Sequence, residues 1–311
     1  MSGIAQRIGA LLVALALLLL CFFVIVRPWY LQWGATAAEA RVSLPGDEIV
    51  GPAATQETRA ITIDAPIERV WPWVAQLGQD RGGFYSFDLL ENLVGCRMPT
   101  TDVLRPAAQQ WALGDRLWMY PPDRAGGIGY ATLRSYVPGR AMGFGTHMVG
   151  TSADAPENGS WSFALEPTTP TTTRLIVRGR GTSSRSLLAT TFDRGVFEPL
   201  HFAMERRMML GLKELAETGQ RARYKNHAQV GLWLIMFVII LITAWRVLIG
   251  HRSTSAVGLF VAAALAFQWL TLAQPSLWLA APLTLLLWLS LGQTRSARQR
   301  FSRRRKGYVG R

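Results

Sequence analysis

The side chains best suited to metal or nucleophilic chemistry in this 311-residue chain are four histidines, His147, His201, His227 and His251, and two cysteines, Cys21 and Cys96. No Cys or His pair has zinc-site spacing, so no metal set is assigned. His227 and His251 flank apolar runs. His147 and His201 could meet between a strand and a helix and move a proton there; as two separate hydrogen-bonded or exposed imidazoles they would have no such role. Asp88 and Glu91, three residues apart, could do acid–base work at a cavity mouth, or pair with Arg81 or Arg97 to fix a turn. Asp115 and Asp123 stand at turns, where Asp is favoured for local backbone reasons.

The glycine-rich stretches Gly126-Gly127-Ile128-Gly129 and Arg178-Gly179-Arg180-Gly181 are not phosphate loops. Neither opens a helix after a strand, and no GKS or GKT follows. No G-x-S-x-G elbow is present. The sequence therefore assigns no catalytic residue and no cofactor.

These residues belong to a middle region with a readable pattern. Residues 28–57 are linker-like, rich in Gly, Pro and small residues. Arg59–Ile63 alternates as a strand. Asp64-Ala65-Pro66 then opens a helix, with Asp64 as its expected cap, carrying Ile67, Val70, Trp71, Val74 and Leu77 on one face. Phe87–Val94 reads as a second short helix. Strands are expected at Gly114–Tyr120, Gly129–Val137 and Arg140–Met148, around Trp161, Phe163 and Leu165, and around Leu175 and Val177. That spacing suits an antiparallel meander. Asp193–Glu217 closes the region as a long helix with an apolar stripe through Val196, Phe197, Leu200, His201, Met204, Met208, Leu212 and Leu215; Pro199 allows a start at Glu198. The expected class is α+β, a curved sheet around one long helix.

Apolar runs bracket this region. Residues 8–26 are an uncharged stretch of 19, close to the roughly 20 residues that span a bilayer. A cleaved signal peptide would have a shorter apolar region, about 7–15 residues, although Ala35–Ala37 and Ala38–Ala40 resemble cleavage sites. Further spans are expected near 228–249, 256–273 and 277–292, the last two split at Gln274-Pro275-Ser276, giving about four transmembrane helices. The domains are thus 1–27, an N-terminal span; 28–57, a linker; 58–218, the folded domain; 228–292, a membrane region; and 293–311, a basic tail.

Charge supports that division. The chain carries a net charge of +13, yet residues 28–217 hold 18 Lys and Arg against 20 acidic residues. The excess basic residues flank the apolar runs. A nucleic-acid domain would carry its own basic face, so nucleic acid is excluded as a partner of the middle region. The acid-free tail, with Arg295, Arg298, Arg300, Arg303–Arg305, Lys306 and Arg311, marks a cytoplasmic end. Four crossings then place the middle domain outside the cytoplasm of a multi-pass protein of the cell membrane. Three crossings would place it inside. Arg221, Arg223 and Lys225 speak against the outside arrangement. The two cysteines lie in different environments and give no disulfide framework.

The segment from Ala65 to Gln79, APIERVWPWVAQLGQ, followed by Arg81-Gly82-Gly83-Phe84-Tyr85-Ser86 and Leu89-Leu90-Glu91-Asn92, resembles the START-like (SRPBCC, helix-grip) superfamily, in its polyketide cyclase/dehydrase and lipid-transfer-like branch. The resemblance covers about residues 58–218 and leaves out the apolar runs. It implies a helix-grip fold with an apolar cavity, and no particular reaction. On that fold, Tyr85, Phe87, Trp118, Tyr120, Phe144, Trp161, Phe163 and Phe197, with His147, His201 and Met204, are the expected ligand-binding residues, while Trp71 and Leu77 are core. The expectation is a membrane-tethered binding module for a lipid, isoprenoid or polyketide-like molecule, whose other partner is the bilayer. A cyclase/dehydrase-type enzyme using the same cavity is one alternative. A protein-interaction or regulatory membrane protein, with an unknown partner, is the other.

Overall fold

The computed structural model describes residues 2–53, 55–99, 102–124, 129–147, 156–182, 186–250 and 253–306. Gly126–Ile128, Met148, the loop residues 251–252 and the tail residues 307–311 lie outside them, as do the side chains of 293–306. The chain divides into two units, residues 27–222 and residues 1–26 with 223–311.

The second of these is helical. Helix α1 (Ser2–Cys21) continues through a π-type turn at Phe22–Val26, and α2 (Arg27–Leu31) follows in the other unit. Among the described residues, three helical stretches are long and apolar enough to cross a membrane: Gly3–Leu31, Arg223–Leu248 and Ser255–Ala273. The expectation of about four spans is corrected on this point. The last apolar stretch, Leu277–Gly292, reaches only about 24 Å at 1.5 Å per residue, short of a hydrocarbon core of about 30 Å. Gln274 adopts a left-handed conformation ahead of Pro275, and the helix breaks there.

In the other unit, six strands form one antiparallel sheet: β1 (Thr55–Ile63), β2 (Arg116–Trp118), β3 (Tyr130–Val137), β4 (Ala141–Thr146), β5 (Gly159–Thr169) and β6 (Thr172–Gly181), in the order β1-β6-β5-β4-β3-β2. β2 to β6 run as the expected meander, and β1 joins beside β6. Helices α3 (Ile67–Ala75), α4 (Asp88–Leu93), α5 (Leu187–Phe192) and α6 (Glu198–Thr218) belong to the same unit, and α7 (Arg223–Leu248), α8 (Ser253–Gln268) and α9 (Leu277–Lys306) to the membrane-type unit. α6 starts at Glu198 with Pro199 in its first turn, where a missing N–H costs nothing. Pro66 stands at the N-cap position of α3 without a side-chain hydrogen bond, so Asp64 does not cap the helix; the Asp64 backbone N–H donates to Glu217 at 2.7 Å.

Alternation sets the two faces of the sheet. Ile61, Ile63, Phe144, Phe163, Leu165, Leu175 and Val177 form one core with Val70 and Val74 of α3 and Met208, Leu212 and Leu215 of α6. Gly211 lets α6 approach the Tyr85 backbone; a Cβ there would run into the Tyr85 carbonyl oxygen.

The opposite face carries Arg174, Arg178 and Arg180 of β6. Residues 34–50 cover it, so much of the stretch that composition marks as linker is a folded layer. Arg178 is sealed from solvent and donates to the Val42 carbonyl at 2.8 Å, the Glu39 carbonyl at 2.6 Å and Asp47 Oδ2 at 2.6 Å. Arg174 binds Glu39 at 2.6 Å, and Arg180 donates to the Asp47 carbonyl. Leu44 and Ala35 pack on Ala60, Ala141, Ala164 and Ile176 beneath them. At Gly46, φ is +99°, and a Cβ would strike Ser162 Oγ.

Candidate functional site

At the N-terminal end of α6 the interior between sheet and helix turns polar. Arg59 follows the inward alternation of Ile61 and Ile63, and Glu205 lies one turn before Met208 on the buried stripe of α6. Arg59 Nη1 donates to Glu205 Oε1 at 2.6 Å, and the two side chains are 0% and 1% exposed. Arg59 Nη2 donates to Glu57 Oε2 at 3.1 Å, and Arg59 Nε to the Tyr30 carbonyl at 2.9 Å. Trp161 Nε1 of β5 donates to the other Glu205 oxygen at 2.7 Å. The Arg59 guanidinium also lies over the Phe202 ring, 5.0 Å from its centroid.

These contacts set the charge states. Burial alone would raise the Glu205 carboxyl, but the Arg59 charge, His201 and the two hydrogen bonds hold it below its ordinary value. Burial works against the Arg59 cation, and Glu205 and Glu57 more than compensate. Both groups are therefore ionised in an otherwise apolar interior.

His201 lies one turn outward from Glu205. Its ring meets Trp161 at 5.8 Å, stacks on Phe197 at 5.7 Å with an interplanar angle of 9°, and brings Nδ1 to 3.7 Å from Glu57 Oε1. Exposure rises along this line, from a buried Trp161 through a part-exposed His201 to Phe197 at 50%. The ligand-type atoms of Glu57, His201 and Glu205 lie within 4.8 Å of one another. That set does not fit a cation well, because Arg59 and Trp161 already occupy both Glu205 oxygens and Arg59 supplies the positive charge.

Of the residues singled out in sequence, the structure thus joins Trp161, Phe197 and His201. Phe163 stacks edge-on to Trp161 at 4.7 Å and Phe144 to Phe163 at 6.3 Å, both inside the core. Phe87 is buried at the start of α4, and Met204 accepts from Ser86 Oγ at 3.8 Å through sulfur. Tyr85 is also core: its hydroxyl accepts from Gln76 Nε2 at 2.7 Å, and burial pushes its titration up. Trp118 contacts Tyr130 edge-on at 5.0 Å, and Tyr120 donates to the Val94 carbonyl at 3.2 Å. His147 follows β4, its Nδ1 buried without a hydrogen-bond partner, and no hydrogen bond, ion pair or ring contact among the described residues joins it to His201.

Of the α4 carboxylates, Asp88 finds a different partner from the two expected. Asp88 binds Arg221, at 2.9 Å, and Arg221 also binds Asp102 at 2.8 Å. Arg97 pairs with Asp123 at the surface, and Arg81 stacks on Trp111 at 3.6 Å. Glu91 is buried with Oε2 unpartnered, and burial, with the Asp88 charge, pushes it up to about 8.

Glu57, Arg59 and Glu205 were not among the residues singled out in sequence, although the signal was present. Arg59 falls on the inward phase of β1, and Glu205 lies four residues after His201 and three before Met208 on the apolar stripe.

The chain matches no protein-family model, and no curated protein matches it significantly in sequence. Among solved structures it is similar to a protein from Nitrosospira multiformis, at 19% identity and a TM-score of 0.32 over 53% of this chain and 98% of that one. It is also similar to the Aha1 dimer from Colwellia psychrerythraea, at 14% identity and a TM-score of 0.31 over 54% of this chain and 100% of that one. A Polyketide_cyc-like protein from Corynebacterium glutamicum aligns at 15% identity and a TM-score of 0.26, over 53% of this chain and 87% of that one.

Proposed function

We propose that the chain is a membrane-tethered binding module for an apolar small molecule, such as a lipid, isoprenoid or polyketide-like compound, taken between the sheet and α6. The observation that carries this reading is the Trp161–His201–Phe197 cluster set over the ionised Arg59–Glu205 pair. Small-molecule sites are mostly apolar, with a few placed polar groups that orient the ligand. A buried ion pair seldom stabilises a fold more than a well-packed apolar pair of the same volume. Set beneath the part-exposed His201 and Glu57, the pair supports a role in placing those polar groups against the polar end of such a ligand.

The apolar helices supply the tether, and tethering raises local concentration without new contacts. With the basic tail inside, an odd number of crossings after the domain would place it outside the cytoplasm and an even number inside. Binding is preferred to cyclase/dehydrase catalysis because, among the described residues, no contact joins His147 to His201.

The test is to purify the full chain in mild detergent and examine it, and its organic extract, by mass spectrometry. One apolar species should accompany the wild type and be depleted from Phe197→Ser and His201→Leu, whose side chains reach solvent. An empty chain that also takes up no fatty-acid, isoprenoid or polyketide mimic overturns the reading.

A further inference from the structure

The segment leading into α6 leaves its apolar side uncovered. Leu187 and Leu188 are 83% and 81% exposed, Phe192 61% and Leu200 57%, and Val196 is also exposed. Leu188, Phe192, Val196 and Leu200 recur every four residues through α5, the π-type turn at Asp193–Phe197 and the first turn of α6. That spacing keeps them on one side of a helical rod. A row of large apolar side chains in water marks a contact surface.

What covers it is indicated by its neighbours. Glu198, on the opposite side of the same helical rod, accepts hydrogen bonds from Arg27 Nη2 at 2.9 Å and the Tyr30 hydroxyl at 2.8 Å. Phe202, one turn on, is enclosed by Tyr30, stacked at 5.1 Å, and by Trp29 and Trp33 edge-on at 5.6 and 6.1 Å. Arg27, Trp29 and Tyr30 form the last turns of the apolar stretch Gly3–Leu31, whose 29 residues extend about 43 Å, beyond a hydrocarbon core of about 30 Å. Tyr and Trp at the end of a span belong to the headgroup layer. The start of α6 is bonded to that end of the span.

We infer that Leu187–Leu200 lies in the membrane interface as an amphipathic segment. Its row Leu188, Phe192, Val196 and Leu200 dips into the boundary between headgroups and acyl chains, and the exposed Arg194 serves the headgroup side. Segments of this kind settle about 5–10 Å into that boundary. The inference rests on the membrane-tethered reading and adds to it: the aromatic cluster at Phe197 and His201 then opens at the lipid surface, so an apolar ligand need not cross water to reach it.

The test uses the full chain, with Cys21 and Cys96 replaced by serine, in vesicles of zwitterionic and anionic phospholipid. Single cysteines at Phe192, Leu12 and Thr171 carry an environment-sensitive fluorophore, and spin-labelled lipids serve as quencher. The inference expects loss of emission at positions 192 and 12 and none at 171, in the exposed β5–β6 turn. Quenching at 12 with none at 192 overturns the inference and leaves the tether standing. No quenching at 12 overturns the tether itself. Cross-linking of two chains through position 192, with no quenching there, shows that a second copy covers the row and likewise overturns the inference.

Discussion

Arg59 and Glu205 join the inner face of β1 to the long helix through a 2.6 Å hydrogen-bonded ion pair closed to solvent. Replacing one partner strands a charge in the interior, and replacing both removes the problem. Arg59→Met should therefore destabilise the domain by about 3–5 kcal/mol, and Arg59→Met with Glu205→Leu should recover most of that loss. Denaturant unfolding of the full chain in detergent, followed by tryptophan fluorescence, checks this. Equal losses in the single and double variants would mean that packing, not charge pairing, sets the cost.

Glu91 gives stability a pH dependence of unusual sign for a carboxylate. Burial, reinforced by Asp88 and opposed by Arg221, raises its folded-state value to about 8, while an unfolded Glu titrates near about 4.3. The folded state holds the extra proton between those values, so this contribution is complete at acid pH and is lost as pH rises towards about 8. Glu91→Gln should flatten that fall, whose limiting slope is about 1.4 kcal/mol per pH unit. Melting temperatures of the two proteins from pH 5 to pH 9 should diverge toward the alkaline end; parallel curves would contradict the assignment.

Glu205 behaves in the opposite sense. Its folded value is depressed, so its contribution is present above the ordinary carboxylate range and is lost as pH falls through the folded value. Acid unfolding of Glu205→Gln should lack that component. The same acid-limb steepness in wild type and variant would count against the pairing.

The layer formed by residues 34–50 depends on close approach at Gly46. Gly46→Ala adds a Cβ at positive φ against Ser162 Oγ, and Gly143→Ala places one 2.7 Å from Gly46 Cα. Each should cost about 1–3 kcal/mol and open residues 34–50 to protease before the sheet unfolds. Limited proteolysis with fragment mapping reads this directly. Cleavage no faster than in the wild type would show that the layer is held without that contact.

Sidedness is open to a labelling experiment. Thr171→Cys, in the exposed β5–β6 turn, should react with an impermeant maleimide in intact cells if the domain lies outside. Reaction only after lysis would place it in the cytoplasm and fix an even number of crossings between domain and a cytoplasmic tail.

The sheet was legible because its strands alternate cleanly. Phe163 and Leu165 on β5, and Leu175 and Val177 on β6, each fix an inward phase. The same phase pointed to Arg59, but a charge on an inward position announces itself only when its partner on another element is known, and Glu205 is 146 residues away. Residues 34–50 read as linker because their glycines, alanines and single proline bury little area of their own. They are held by backbone carbonyls that accept from Arg178 and Arg180, and a carbonyl has no residue identity to read. Arg221 escaped attention because it reads as one of a basic group beside a membrane segment, whereas the fold gives it Asp88 and Asp102.

The position of β1 also fixes an order of events in time. β1 and the layer before it find their hydrogen-bond partners on β6, whose residues are synthesised more than a hundred positions later. The N-terminal apolar helix therefore leaves the ribosome well before the surface that its neighbours will cover exists. Contacts of such long sequence separation form late and slowly, and chains of this size populate incompletely packed states on the way. Until β6 arrives, the arginine-binding carbonyls of Glu39 and Val42 must be satisfied by water, so the window in which this chain is vulnerable to proteases and to wrong pairing closes with the last strand.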